Sequence, residues 1–247
     1  MSLRNRVALV TGGSRGIGRG IAARFAQEGA RVAIAYRSNK AAAQQTLRQL
    51  QTSGADCVAV ETDITDAARA EQLVKTVVDR FGRLDIVVNN VGDFRWGTVG
   101  ESSLEDWQNI FSSNLLTTLF VSRASLPHMR RGRWGRIINM GAVGAERAFG
   151  QAKISAYAAA KAAVVALSRS LALEEAKNAI TVNVVNPSSI DENELTLSEA
   201  RRIRDARFPI GRPPTVEDVA ATVAFFASEE AEYVTGQVMN VSGGWML

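Results

Sequence analysis

Short apolar runs alternate along this chain with longer stretches in which apolar residues recur every three or four positions. The first pattern is that of buried strands and the second that of amphipathic helices. Arg6-Val7-Ala8-Leu9-Val10 reads as a strand, and a helix is expected over residues 16–28. Strands follow at residues 31–36, 57–61 and 84–88, with helices at 39–53 and 66–81 between them. A long helical region over residues 104–129 is expected to fall in two pieces. A strand at 136–140 and an Ala-rich helix at 155–177 come next. A strand at 180–185, stopped by Pro187, a helix at 216–228 and a last strand at 237–241 complete the series.

Strand and helix alternating in this way predict βαβ units, and so a parallel sheet. Right-handed crossovers put helices on both of its faces. The expected fold is α/β: a single Rossmann-type, doubly wound domain of about seven strands spanning residues 1–247. Residues 188–214 are polar, charged and bounded by prolines. Such a long connection is expected to be a substrate lid.

The first strand runs into Thr11-Gly12-Gly13-Ser14-Arg15-Gly16-Ile17-Gly18. Glycines between a strand and a helix let backbone approach a pyrophosphate closely. The helix N-terminus then offers N–H groups and the positive end of its dipole to the phosphates. This makes Gly12, Ser14, Arg15, Gly16, Ile17 and Gly18 candidate dinucleotide ligands. The second strand ends in Ala35-Tyr36-Arg37-Ser38-Asn39, without the acid that would bond the ribose 2′-hydroxyl of NAD. Arg37, flanked by Arg15, is instead suited to a 2′-phosphate. The expected cofactor is NADP(H).

Composition narrows the chemistry further. Of 247 residues 46% are hydrophobic and 22% charged, ordinary for a globular protein. A single cysteine, Cys57, permits no internal disulfide, and its apolar neighbours predict a buried side chain. With one histidine, His128, no His-ligated metal site or Ser-His-Asp triad is expected. Neither a signal-like segment nor an apolar run of membrane-spanning length is apparent, so the expected setting is cytoplasmic with no membrane partner. The net charge of +4 is partly concentrated in His128-Met129-Arg130-Arg131-Gly132-Arg133-Trp134-Gly135-Arg136. This run reads as a solvated loop, with an anionic partner as the alternative. No nucleic-acid motif accompanies it.

With these residues in hand, the chain resembles the classical short-chain dehydrogenase/reductase family, and most of all its 3-oxoacyl-[acyl-carrier-protein] reductase-like members. Beyond the glycine loop, the resemblance rests on Asp63 after the third strand and on Asn89-Asn90-Val91-Gly92 after the fourth. It rests also on Asn114, on Tyr157-Ala158-Ala159-Ala160-Lys161, on Asn186-Pro187 and on Ser242-Gly243-Gly244. The resemblance implies adenine contacts from Asp63 and Ile64, further cofactor contacts from Asn90, Tyr157, Lys161 and Pro187, and catalysis by Asn114, Tyr157 and Lys161. It also implies a homotetramer, and a small carbonyl substrate that an acyl carrier protein could present to the basic run.

The central pair can be argued on its own. Tyr157 and Lys161 stand at i and i+4 and share one helix face. A nearby ammonium is expected to favour the phenolate and lower the tyrosine pKa, so that Tyr157 exchanges a proton with a carbonyl oxygen.

The chain departs from the family at the serine that follows the fifth strand and orients the carbonyl. Ala142 is the best-matching position, and no Ser or Thr occurs between Ser125 and Ser155. Ser188 replaces the usual glycine after Asn186-Pro187, and Asp191-Glu192-Asn193 occupies the region of a nicotinamide-contacting threonine. Losing one oriented donor costs roughly 100- to 1000-fold. Three readings therefore stay open: a reductase of a carbonyl such as a 3-oxoacyl thioester, a reductase of a pterin-like C=N bond, and a non-catalytic or weakly active NADPH-binding protein.

Overall fold

The computed structural model describes residues 2–190 and 195–246. Seven parallel strands form one sheet in the order β3-β2-β1-β4-β5-β6-β7. They are β1 (Val7–Thr11), β2 (Arg31–Tyr36), β3 (Cys57–Glu61), β4 (Ile86–Asn89), β5 (Gly135–Met140), β6 (Ile180–Pro187) and β7 (Val238–Val241). Order reverses between β1 and β4, so a crevice opens beyond their carboxyl ends, where such sheets bind ligands.

Both faces of the sheet are covered, which is why β1 is buried at every residue rather than at alternate ones. Ala8 and Val10 face α1 (Gly16–Gln27), α2 (Lys40–Thr52) and α8 (Val216–Ala227). Val7 and Leu9 face α3 (Ala67–Phe81), α5 (Thr117–Gly132) and α6 (Ser155–Glu175). Residues expected at helix ends act as caps: Asn39 accepts from Ala42 N–H and Asp66 from Arg69 N–H.

Four expectations need correction. The two pieces of the 104–129 region are one continuous run, in which α4 (Leu104–Phe111) and α5 are joined by a π-helical turn, Ser112–Leu116. The basic run is only in part the solvated loop expected: residues 130–133 are exposed, but the run spans the end of α5 and the start of β5. Arg130 lies on α5 and makes a bidentate pair with buried Glu175, and Arg136 lies in β5 at 2% exposure. Its guanidinium stacks 4.2 Å from the Trp134 ring and donates to the carbonyls of Ser228 and Gly135, and burial pushes its pKa down to about 10. Cys57 is half-buried rather than buried, because β3 is the edge strand. Finally, α6 with the turn after it, Ser155–Asn178, is long and apolar enough by composition to cross a membrane. In the fold it packs along β6 and carries buried Lys161 and Glu175.

The region 188–214 contains a short helix, α7 (Leu197–Ala200), beyond the elements that periodicity predicts; its capping box, Thr196 with Glu199, is visible in the sequence. The expectation for Asp191-Glu192-Asn193 lies outside the described residues. Trp245 is half-buried, its ring centroid 6.3 Å from that of Phe208.

One polar ladder crosses the apolar layer between sheet, α5 and α6. Asn89 donates to Ser122 Oγ (3.0 Å) and to Asn139 Oδ1 (2.8 Å), and Asn139 donates to Ser168 Oγ (2.8 Å). All four are buried, so each needs the others. Asn139→Ala removes two of these bonds, leaving Asn89 with Ser122 and Ser168 with the Val164 carbonyl, and is expected to cost about 1–3 kcal/mol. Urea unfolding should show a lower midpoint at unchanged slope, and an unchanged midpoint would refute the ladder's role.

Candidate active site

The cleft beyond β1 and β4 encloses about 860 Å³. Its first wall is the glycine loop. Gly12 and Gly16 adopt positive φ (61° and 55°). A Cβ on Gly18 would fall 2.6 Å from Asn90 Nδ2 and closer still to the Gly12 carbonyl oxygen. Asn90 fixes this contact by donating to the Thr11 and Gly12 carbonyls (3.1 and 3.3 Å), while its N–H donates to Thr11 Oγ1 (2.9 Å). Like α6, and unlike α2, α3, α4 and α8, helix α1 begins without a side-chain cap.

The second wall comes from the ends of β2 and β3. Arg15 and Arg37 are exposed, both line the cleft, and neither forms an ion pair among the described residues. Asp63 accepts from Thr65 N–H (3.1 Å) and Oγ (2.8 Å); these bonds, and the nearby charge of Arg37, hold its carboxyl below the usual range. Of the anticipated cofactor residues, Gly12, Ser14, Arg15, Gly16, Ile17, Arg37, Asp63, Ile64 and Asn90 line the cleft. Gly18 lies behind the loop, Pro187 ends β6, and Ile190 just beyond it also lines the cleft.

The inner end is built from three elements. The π turn carries Asn114 and buries it fully. In a π turn the N–H groups reach five residues back, which leaves a carbonyl for a side chain. Asn114 Nδ2 donates to Ile110 O (3.0 Å) and to Asp93 O (2.9 Å). Its Oδ1 is buried without a partner and faces Gly92. A Cβ on Gly92 would overlap Asn114 Oδ1 and stand 3.4 Å from Lys161 Nζ. Asn114 and Lys161, far apart in sequence, thus meet at one glycine. An uncapped helix start, exposed arginines and an unpartnered amide oxygen at the inner end fit a dinucleotide lying along the cleft.

Tyr157 and Lys161 share one face of α6, with Nζ 5.6 Å from the Tyr157 ring centroid. Here the geometry differs from the expectation. Lys161 Nζ donates to Met140 O (2.8 Å) rather than to the phenol. Burial governs both groups, pushing Tyr157 up to about 12 and Lys161 down to about 8. The anticipated lowering of the tyrosine is absent.

Ala142 follows β5, in the turn that leads to a 3₁₀ turn, Ala145–Arg147. The Ser188 hydroxyl is buried with no partner. Sequence reasoning missed Ser113, which lines the cleft and accepts from Asp93 N–H (3.3 Å), and Glu146, which accepts from Asn186 and Asn240 (3.0 Å each). Among the described residues no cluster of His, Cys, Asp or Glu could hold a metal ion.

The chain belongs to the short-chain dehydrogenase/reductase family. Residues 12–246 match the family described as enoyl-(acyl carrier protein) reductase. It is 38% identical over 240 residues to a 3-oxoacyl-[acyl-carrier-protein] reductase of Staphylococcus aureus, covering 96% of each chain. Its similarity to the Vibrio cholerae reductase of the same name is 38% over 247 residues, covering 99% of this chain and 98% of the other. Among solved structures, a short-chain dehydrogenase/reductase from Serratia marcescens superposes with a TM-score of 0.90 at 34% identity, covering all of both chains. Acetoin dehydrogenase from Salmonella typhimurium gives 0.90 at 31%, covering 98% of this chain and 96% of that one.

The Gly92 contact can be tested directly. Asn114 cannot retreat, so Gly92→Ala is expected to cost about 1–3 kcal/mol by overpacking. Urea unfolding should show a correspondingly lower midpoint, and an equally stable variant would contradict the packing described.

Proposed function

We propose that this protein is an NADPH-dependent oxidoreductase that reduces a carbonyl group with Tyr157 as general acid. The observation that carries the reading is the meeting of buried Asn114 and Lys161 at Gly92, a residue that lines the cleft, with half-buried Tyr157 one turn of α6 from Lys161 and with exposed Arg15 and Arg37 lining the same cleft. Gly12, Ser14, Gly16, Ile17 and Gly18 would hold the pyrophosphate, Arg15 and Arg37 the 2′-phosphate, and Asp63 and Ile64 the adenine. Asn90, Pro187, Tyr157 and Lys161 complete the inner contacts. The nicotinamide supplies the hydride.

The residues do the rest. Burial keeps the Tyr157 phenol protonated through the neutral range, as an acid for reduction must be. As the carbonyl carbon accepts the hydride, the Tyr157 Oη proton passes to the carbonyl oxygen. The Lys161 ammonium, held at Met140 O, steadies the phenolate left behind, and Asn114 Oδ1 is placed to order a water for reprotonation. A 3-oxoacyl thioester is one candidate substrate, by similarity to the reductases of that name. A carrier-docking role for the basic run would fall to exposed Arg131 and Arg133, since Arg130 is paired with Glu175 and Arg136 is buried. Exposed Leu104, Leu116, Leu119 and Leu173 fit burial in a homotetramer, and a cytoplasmic setting goes with the reading. Residues 188–214 would serve as the lid.

Tyr157→Phe removes the transferred proton and should lower kcat by about 100- to 10,000-fold with NADPH affinity kept. In the wild type, kcat/KM for NADPH should fall as pH rises through about 8, where Lys161 loses its charge. A flat profile to pH 10 would contradict the role of Lys161.

Ala142 favours one second reading, a binding protein with little turnover. Ala142→Ser separates the two. In a reductase the restored hydroxyl should raise kcat, up to the roughly 100-fold that one oriented donor supplies. In a binding protein it would change nothing.

A further inference from the structure

We propose that Phe94 and Trp96 select a carbonyl substrate bearing a flat aromatic ring beside the reacting carbon, such as an aryl ketone or aryl α-diketone. The proposal rests on the reading of Tyr157 as the acid. Three rings run outward from that residue. Phe94 meets Tyr157 edge to face, with centroids 5.0 Å apart and planes at 77°. Trp96 meets Phe94 the same way, at 5.0 Å and 85°. Phe94 is nevertheless 47% exposed and Trp96 63% exposed. Single exposed apolar side chains need no explanation, but a contiguous pair abutting the catalytic phenol does.

The segment that carries them is held at both ends. Before Phe94, Asp93 O accepts from Asn114 and Asp93 N–H donates to Ser113 Oγ. After Trp96, Gly97 N–H donates to Lys153 O (2.8 Å), bridging to the start of α6. Between them Arg95 pairs with Asp106, itself half of the capping box of α4. The rings are therefore ordered before any ligand arrives, which lowers the entropic cost of binding. Asp106 also neutralises the one cation in the segment, so apart from the Asp93 carboxylate at its inner edge the wall offers π faces and edges. A ring laid against it gains aromatic contacts that an alkyl chain of equal area does not.

This wall bears on the gap at Ala142. With no hydroxyl there, the carbonyl must be oriented by contacts elsewhere on the substrate, and a ring fixed on Phe94 beside Tyr157 does that.

The test compares kcat/KM for 1-phenyl-1,2-propanedione and for 2,3-heptanedione with NADPH. The wild type should favour the aryl dione. Phe94→Leu, which keeps apolar area but removes the ring, should lower the aryl-to-alkyl ratio by about two- to tenfold, mainly through KM. Phe94→Tyr should restore it, and Trp96→Leu should shift it less in the same direction. If Phe94→Leu lowers both substrates equally, Phe94 only props Tyr157 and the inference is overturned. If the wild type reduces a 3-oxoacyl thioester but neither dione, the inference is overturned and the reductase reading stands; if it binds NADPH and neither it nor Ala142→Ser reduces any of the three, both fail. Reduction of the alkyl dione alone would overturn the inference and leave that reading standing.

Discussion

The cleft depends on one close approach, that of Gly18 to the carbonyl of Gly12. No side chain larger than hydrogen fits at residue 18, because the Gly12 carbonyl and the Asn90 amide that donates to it both close on the Cβ position. That clasp joins β1 to β4 across the point where strand order reverses. It also aims the uncapped start of α1 into the crevice. On the proposed reading, backbone geometry sets the phosphate end of the site, and two arginines that the fold leaves exposed would set the specificity at its rim.

At the inner end the same economy of space recurs with different chemistry. Gly92 lets the π turn and α6 converge, bringing a fully buried amide and a buried lysine to one point. Burial there opposes charge on both Tyr157 and Lys161. A neutral phenol is suited to donating a proton, and a lysine whose pKa is about 8 remains largely cationic at neutral pH. On the proposed reading these shifts suit the reductive direction, the missing hydroxyl at residue 142 would weaken the hold on the carbonyl, and the ring wall at Phe94 and Trp96 would supply another.

Much of this is legible in the sequence. The strands from β1 to β7 follow from continuous apolar runs, and Asn39 and Asp66 mark helix starts through their capping chemistry. The glycine loop and the Tyr157–Lys161 spacing are local patterns, so they can be read without tertiary information. What cannot be read depends on partners distant in the chain. Arg136 looks like surface charge until Trp134 and the Ser228 carbonyl are brought beside it, and nothing local pairs exposed Arg130 with Glu175. The π turn leaves no periodic signature, because five residues are too few to shift a helical pattern. The effect of Lys161 on Tyr157 escapes the sequence, since spacing shows that two groups are close but not that the ammonium turns to Met140 O. The Asn89–Asn139 ladder does leave a trace, as polar residues in otherwise apolar strands.

The central claim is that Tyr157 acts with a bound nicotinamide to reduce a carbonyl. It is tested most directly by following a label. NADPH carrying deuterium on the transferred face of C4 would be incubated with 1-phenyl-1,2-propanedione and the product analysed by mass spectrometry. The account predicts one deuterium at the carbinol carbon with the wild type and little labelled product with Tyr157→Phe over the same interval. Labelled product at equal rates from both proteins, or bound NADPH with no label transferred by the wild type or by Ala142→Ser to any carbonyl supplied, would contradict it.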